Sequence, residues 1–340
     1  MSDATAILPA PNRVRAWSGV PLLLAFLAAA FIVHLMVGTR LLSPETVVRA
    51  LFAADPDNFD HAIVANLRLP RAVIAAVVGA ALSVAGALMQ GVTRNPLADP
   101  ALLGLTAGAS FAVVMATALF GLDGSFWLPW IASAGALVAA LVIYFIACRV
   151  PGGATPLSLT LAGAAVSTFL GAAISVAHLL DEETFQSLRV WLTGSLARRD
   201  IGLLWIAGPW LLLAMLLALT SARKVTILAM GEELAQGLGV RTGRLKLEIL
   251  AVVVVLTACS VALAGPLGFI GLVIPHVVRL YTGSDYRWIV PYSALAGAAY
   301  LLAVDIVARV VIAPQEISTG IITAMVGAPL FVQLVRRRAR

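Results

Sequence analysis

The sequence predicts an all-α polytopic membrane protein of about ten transmembrane helices, and three observations carry that prediction. Of its 340 residues, 61% are apolar and 12% charged, with a mean hydropathy of +0.99. That is more apolar surface than one soluble core can hide. Apolar runs of about 20 residues, enough to cross roughly 30 Å of hydrocarbon as a helix, recur from end to end. Basic residues gather between those runs and in the tails, the distribution that orientation in a bilayer imposes. The net charge of +6 is thereby accounted for without nucleic acid. Residues 1–340 read as one transmembrane domain.

The spans expected from the apolar runs are 17–38, 62–90, 101–121, 127–149, 157–180, 201–220, 246–265, a short 268–281, 287–312 and 316–335. Arg13 and Arg15 precede the first in the manner of a signal peptide, but the run is too long and lacks a convincing cleavage site, so it reads as retained. Ten spans put both tails, 1–16 and 336–340, on one side. Arg336, Arg337, Arg338 and Arg340 mark that side as cytoplasmic, and the segment 222–245, with Arg223, Lys224, Arg241 and Arg244, falls there too. Loops 39–61 and 181–200 fall outside. Both read as ordered external caps containing short helices rather than linkers, since Pro44, with Thr39 and Ser43 nearby, offers helix-start chemistry.

A weak repeat relates spans 2–5 to spans 7–10. Ala85-Gly86 recur as Ala264-Gly265, Leu88 as Leu267, Pro96 as Pro275 and Gly104 as Gly283, all at one offset. The span count runs the two halves in opposite directions, an inverted repeat common among transporters. Chance similarity between Ala/Leu/Gly-rich helices is the competing account.

After the second span, RNPLADPALLG (94–104) interrupts the apolar rhythm. Pro96 and Pro100 lack an N–H and push Asn95 and Asp99 away from helical angles, so the helix stops. Arg94, Asn95 and Asp99 can satisfy the freed backbone, which is tolerable only against water or buried protein. The span count puts this break near the cytoplasmic face. A second break, GPLGFIGLVIPHVVRLYTG (265–283), lies toward the outside, with Pro275 expected to start a short half-span. His276 reads as a structural residue or a proton carrier.

Between spans, MGEELAQGLGVRTGR (230–244) fits one short amphipathic helix through Glu232, Glu233, Leu234, Ala235 and Leu238, with Gly237, Gly239 and Gly243 supplying turns. Such a helix is shaped to dock into a groove of another protein; a solvated loop is the alternative. In the fifth span, Gly163, Ala164, Ser167 and Gly171 follow helical spacing, which suits close helix packing. A weakly polar pathway wall lined by Thr160, Ser167 and Thr168 fits equally. Charges inside spans are functional candidates because their burial costs on the order of 2.5 kcal/mol or more. Asp305 and Arg309 stand four apart and can neutralise one another. Arg68 and Arg71 lie at the outer end of span 2, against the positive-inside trend; with Arg309 they could meet carboxylates of an external partner, or act as snorkelling anchors.

Cys148 and Cys259 lie inside apolar runs and offer neither a disulfide framework nor a zinc site. With Lys224 and Lys246 the only lysines, there is no GxxxxGK[ST] phosphate loop; HExxH and GxSxG are missing as well. No catalytic constellation, metal site or cofactor site is expected in this chain.

RLPR (68–71), GAALSVAGALMQGVTRNPLADPALLGLTAGAS (79–110), GEELAQGLGV (231–240), GPLGFIGLVIPHVVRL (265–280), DIVARV (305–310) and GAPLF (327–331) together resemble the FecCD-type iron-chelate permease family of bacterial ABC importers. The resemblance covers nearly the whole chain. It implies a ten-span inner-membrane subunit that pairs with a second copy of itself, with two cytoplasmic ATP-binding subunits and one periplasmic substrate-binding protein. ATP and Mg would then sit on the partner subunit. It assigns Gly231, Glu232, Glu233, Ala235, Leu238 and Gly239 to ATPase coupling, and Arg68, Arg71 and Arg309 to binding-protein docking. PGGATPL (151–157) matches the gate before the pathway-lining fifth span. Pro156 and Leu157 stand there where small hydroxyl residues can occur in relatives, and Thr160, Gly163, Ser167 and Gly171 follow along the wall. The expected cargo is a ferric siderophore, with haem or cobalamin as the alternative. An ion-coupled secondary transporter, relaying through Asp305, Glu316 and His276, is the rival class.

Overall fold

The computed structural model describes residues 13–38, 40–101, 104–121, 127–151, 155–180, 191–197 and 199–338. The described chain is helical, without strands. The elements in order are α1 (Arg13–Met36), α2 (Pro44–Phe52), α3 (Phe59–Ile63), a π-helical turn (Val64–Arg68), α4 (Leu69–Thr93), α5 (Leu105–Phe120), α6 (Leu128–Arg149), α7 (Pro156–Leu180), α8 (Gly202–Ala229), α9 (Glu232–Gly237), α10 (Thr242–Ala264), α11 (Ile270–Thr282), α12 (Tyr286–Val310) and α13 (Thr319–Arg338).

Seven helical stretches are long and apolar enough to cross a membrane, and α5, α11 and α13 are shorter apolar helices. Helix α4 sits at the centre, packed by α8, α10, α11 and α12, and α10 lies beside it. Both carry apolar residues all round, interrupted by a few polar ones such as Ser83 and Gln90, as suits a surrounded helix. α1, α7 and α13 lie at the periphery, and α7 packs on α5 and α6 while leaving Leu157, Leu161, Phe169 and Leu179 uncovered.

Glycine sets the closest approaches to the central helix. A Cβ on Gly86 would stand 2.0 Å from the Gly271 carbonyl oxygen, and one on Gly79 would stand 2.2 Å from that of Gly297. Only a residue without a side chain lets these backbones touch.

Several ends follow local chemistry. Ser43 caps α2, its Oγ accepting from Thr46 N–H at 3.1 Å, with Pro44 as the first helical residue. Asn58 caps α3 likewise, accepting from Asp60 N–H at 3.0 Å. α7 starts in the same way: Ser158 N–H donates to Thr155 Oγ1 at 3.1 Å while Thr155 N–H donates to Ser158 Oγ at 2.9 Å. The short helices expected in loop 39–61 are therefore present; residues 181–190 of the other outer loop, and 152–154 of the gate turn, lie outside the described residues.

Three boundaries differ from the sequence reading. The sixth expected span, 201–220, runs on to Ala229, so the first part of segment 222–245 belongs to α8. α5 begins only at Leu105, after turns in the described residues 94–101 and at Gly104. Pro275 lies inside α11 and does not start it; the helix opens at Ile270 behind Phe269, whose φ is 68°. Proline at 275 deprives the Gly271 carbonyl of its helical donor, and Gln90 Nε2 donates to that oxygen at 3.0 Å instead. A neighbouring side chain thus keeps the helix continuous through its proline.

Candidate functional site

The candidate residues fall into four places along the bundle. At the end where α4 begins, Arg68, Arg71 and Arg309 gather around the carboxyl end of α1. Arg68 Nη1 donates to the carbonyls of Leu35 (2.7 Å) and Met36 (2.6 Å), and its Nη2 to that of Arg40 (2.5 Å). Arg309 Nη2 reaches the His34 carbonyl at 3.2 Å. The carbonyls of His34, Leu35 and Met36 belong to the last turn of α1, where helical donors run out, although Met36 also accepts from Leu42 N–H at 3.0 Å; cations there also suit the helix dipole.

Between them lies Asp305, with no exposed surface. Its Oδ2 accepts from Arg71 Nε at 2.8 Å and lies 2.9 Å from His34 Nε2 and 3.4 Å from Arg309 Nε. Its Oδ1 accepts from Arg71 Nη2 at 3.0 Å and Thr319 Oγ1 at 2.8 Å. Arg71 Nη1 continues to Glu316 at 2.7 Å. The i,i+4 neutralisation of Asp305 by Arg309 read from sequence is thus the longest of these contacts, and Arg71 is the main counter-ion. All three arginines are largely buried: the side chains of Arg71 and Arg309 are 11% and 4% exposed, and Arg68 is 6% exposed. Glu316, 33% exposed, is the part of the network that meets the surface.

The second place is the break after α4. Arg94 takes a left-handed conformation (φ 50°) and is exposed. Asn95 Oδ1 accepts from Leu97 N–H at 3.0 Å, and Asp99 Oδ1 from Ala101 N–H at 2.7 Å, so each side chain supplies an acceptor to a turn N–H two residues on. Pro96 is half-buried, whereas Asp99 and Pro100 are buried. A Cβ on Gly271 would lie 3.1 Å from Asp99 Oδ2, so the break after α4 and the one before α11 meet in the interior. Pro275 is buried and His276 half-buried on the same short helix.

The third place is the segment between α8 and α10, at the end of the bundle where α4 finishes. Gly231 (φ 141°) and Gly239 (φ 79°) bracket α9 in backbone conformations that side chains disfavour. Ala235 is buried, seating α9 on the bundle, while Glu233 is exposed and Leu234 and Leu238 are 50% and 61% exposed. Both carboxylate oxygens of Glu232 accept from Lys246 Nζ at 2.8 Å, tying α9 to α10. Lys246 thereby holds the Glu232 carboxyl below its ordinary value, with Arg94 adding a smaller pull in the same direction. Nearby, Asp285 caps α12 and lies 3.2 Å from Thr226 Oγ1 of α8. Burial raises its pKa, but the hydrogen bonds from Arg287 outweigh this and hold the carboxyl below the usual range.

The fourth place is α7. Pro156 is its first residue, Leu157 is 69% exposed and Thr160 is exposed. Gly163 is buried and Ser167 half-buried, both close to Gly104, whereas among the described residues nothing outside the backbone of α7 itself lies within 4 Å of a Cβ on Gly171. One end of α7 is packed, and its outward face is bare.

Sequence reasoning passed over His34, Gln90 and Thr319. The first two are polar residues in otherwise apolar spans and could have been singled out on that ground; Thr319 left no comparable signal.

Known proteins resemble this chain over most of its length. It is 41% identical over 94% of its length to the ferric enterobactin transport system permease protein FepD of Escherichia coli (strain K12), covering 96% of that protein. It is 42% identical over 93% to the iron(3+)-hydroxamate import system permease protein FhuB of Bacillus subtilis (strain 168), covering 82% of it. To the hemin transport system permease protein HmuU of Yersinia pestis it is 35% identical over 93%, covering 96% of that chain. Among solved structures, one described as an inward-facing conformation of a metal-chelate type ABC transporter matches with a TM-score of 0.79 at 30% identity, over 93% of this chain and 97% of that one. Residues 25–337 match the FecCD transport family, and the chain belongs to that family.

Proposed function

We propose that the chain is the membrane-spanning permease subunit of an ATP-driven importer carrying an iron chelate, of the ferric siderophore class, from periplasm to cytoplasm. It works in the inner membrane as a homodimer, with two cytoplasmic ATP-binding subunits holding ATP and Mg, and with a periplasmic substrate-binding protein. α5, α11 and α13 complete ten spans, the two halves are inversely related, and both termini lie in the cytoplasm.

The observation that carries this reading is the α9 segment. Two leucines, Leu234 and Leu238, are uncovered on a short helix that is clamped to α10 through Glu232 and Lys246. Uncovered leucines beside a charged rim suit a groove on another protein, and the clamp would pass a push on α9 directly to a spanning helix. The siderophore assignment is supported by relatives such as FepD and FhuB, permeases for ferric enterobactin and iron(3+)-hydroxamate. The bare face of α7, with Leu157, Thr160 and Gly171, is the proposed pathway wall facing the second copy, and Pro156 and Leu157 mark its gate. The end of the bundle bearing Arg68, Arg71 and Arg309 is the proposed docking end. Because the arginines are already paired internally, docking carboxylates would enter through Arg71 beside the partly exposed Glu316.

Reconstitution in vesicles tests the proposal. Uptake of a ferric siderophore is expected only with the ATPase subunits, the binding protein and ATP. Accumulation by the chain alone, driven by a proton or sodium gradient, would overturn it.

A further inference from the structure

Near the end of the bundle that carries α9, a cavity of about 380 Å³ opens between α4, α6, α7 and α10. Its size falls within the usual range of small-molecule sites, roughly 300 to 1,000 Å³. Met89, Val92, Ile143, Ile249 and Val253 form apolar walls, and the mouth carries Arg94, Glu232 and Lys246.

Two cations face one carboxylate at that mouth, leaving an excess of one positive charge. Lys246 already holds both oxygens of Glu232, while Arg94 forms no ion pair among the described residues. Arg94 also ends α4 in a left-handed conformation that glycine or asparagine would adopt with less strain. An arginine at such a position is a pointer to what its guanidinium meets.

On one side the cavity is closed by a side chain that is itself half exposed. Tyr144 of α6 belongs to its lining and is 52% exposed, flanked by Leu141 and Phe145, 53% and 56% exposed on the same helix. An occupant entering there comes from the face where apolar side chains are uncovered. Water has few polar partners along such walls, and a charged chelate would lose its hydration against them without return. What fits is apolar along its length and anionic at one end. Basic pockets between spanning helices at a cytoplasmic surface are suited to anionic lipid headgroups.

We propose that this cavity holds one acyl chain of an anionic phospholipid from the surrounding leaflet, with the headgroup phosphate at Arg94. The inference rests on the membrane placement given above and not on transport. Lipid seated there would touch the Glu232–Lys246 clamp, so leaflet charge would act on α9.

Photolabelling of the full chain tests it, in phosphatidylcholine vesicles containing a trace of phosphatidylglycerol or phosphatidylcholine that carries a diazirine midway along one acyl chain. Mass spectrometry should find labelled Met89, Val92 and Leu250 with about a fivefold preference for the phosphatidylglycerol probe, the factor one basic residue confers at a membrane surface. Arg94→Ala should abolish the preference, and Val253→Trp should block the cavity labels while labels on Leu141 and Phe145 stay unchanged. Should the tryptophan variant not fold, the Arg94 variant decides alone. Equal labelling by both probes, a preference that survives Arg94→Ala, or cavity labels displaced by a ferric siderophore would each overturn the proposal. Labels on Leu141 and Phe145 report insertion independently, so an error in membrane placement would show separately.

Discussion

Replacing Asp305 by Asn tests whether one buried carboxylate holds α1, α4, α12 and α13 together. Its Oδ1 accepts from Arg71 Nη2 and Thr319 Oγ1, while Oδ2 faces Arg71 Nε, His34 Nε2 and, more distantly, Arg309 Nε. Asparagine keeps the shape but offers a single acceptor oxygen. If that oxygen retains the Oδ1 partners, the new NH₂ group faces Arg71 Nε and His34 Nε2, and two charge-assisted bonds are lost. At about 1.5–3 kcal/mol each, the loss is about 3–6 kcal/mol. Breaking a buried pair by removing one partner costs about 3–5 kcal/mol, so the two ranges agree on roughly 3–5 kcal/mol. Unfolding in mixed micelles, titrated with a denaturing detergent, should show a loss of that size. Because the site is buried, the loss should persist at high salt. A change below about 1 kcal/mol, or one that vanishes in salt, would mean that the cluster behaves like an exposed pair and would refute the argument.

Gly86→Ala places a methyl group 2.0 Å from the Gly271 carbonyl oxygen, where only backbone could give way; a loss of about 1–3 kcal/mol or more is expected in the same assay. Gly208→Ala, with nothing within 4 Å of the added carbon, should be silent. Gln90→Leu leaves the Gly271 carbonyl without either the proline N–H or the amide, costing about 1–3 kcal/mol and speeding hydrogen exchange in α11. The Glu232–Lys246 clamp should respond to acid. With the folded pKa of Glu232 held below the ordinary 4.5, its contribution is fully present above that value and is lost as pH falls through the lowered one. The pair is over a third exposed, so the contribution is about 1 kcal/mol or less. Protease cutting around α9 should rise across that acid window in the native chain and lose its pH dependence in Lys246→Met.

Local chemistry was readable wherever it depends on neighbours in sequence. Ser43 with Pro44 announced α2, and Pro96 with Pro100 announced the stop after α4, because capping and proline act over a few residues. What escaped were contacts set by packing. Pro275 looked like a helix start, since nothing near it reveals that Gln90 supplies the missing donor from another helix. The pairing of Arg71 with Asp305, and the grip of Arg68 and Arg309 on the end of α1, left no mark in the sequence, since these partners stand far apart along the chain and only the close packing of α1, α4 and α12 brings them together. The preceding span seemed to end before 222 because basic residues there mark a membrane boundary, whereas the helical hydrogen bonding of α8 continues past that boundary to Ala229.

The tie between the first helix and the rest of the bundle runs through main-chain oxygens of His34, Leu35 and Met36, grasped by two guanidinium groups. Every amino acid carries such an oxygen. Leu35 and Met36 are therefore free to drift in identity, within the space available, without loosening that grip, whereas exchanging either arginine for lysine forfeits the forked reach that spans the helix end.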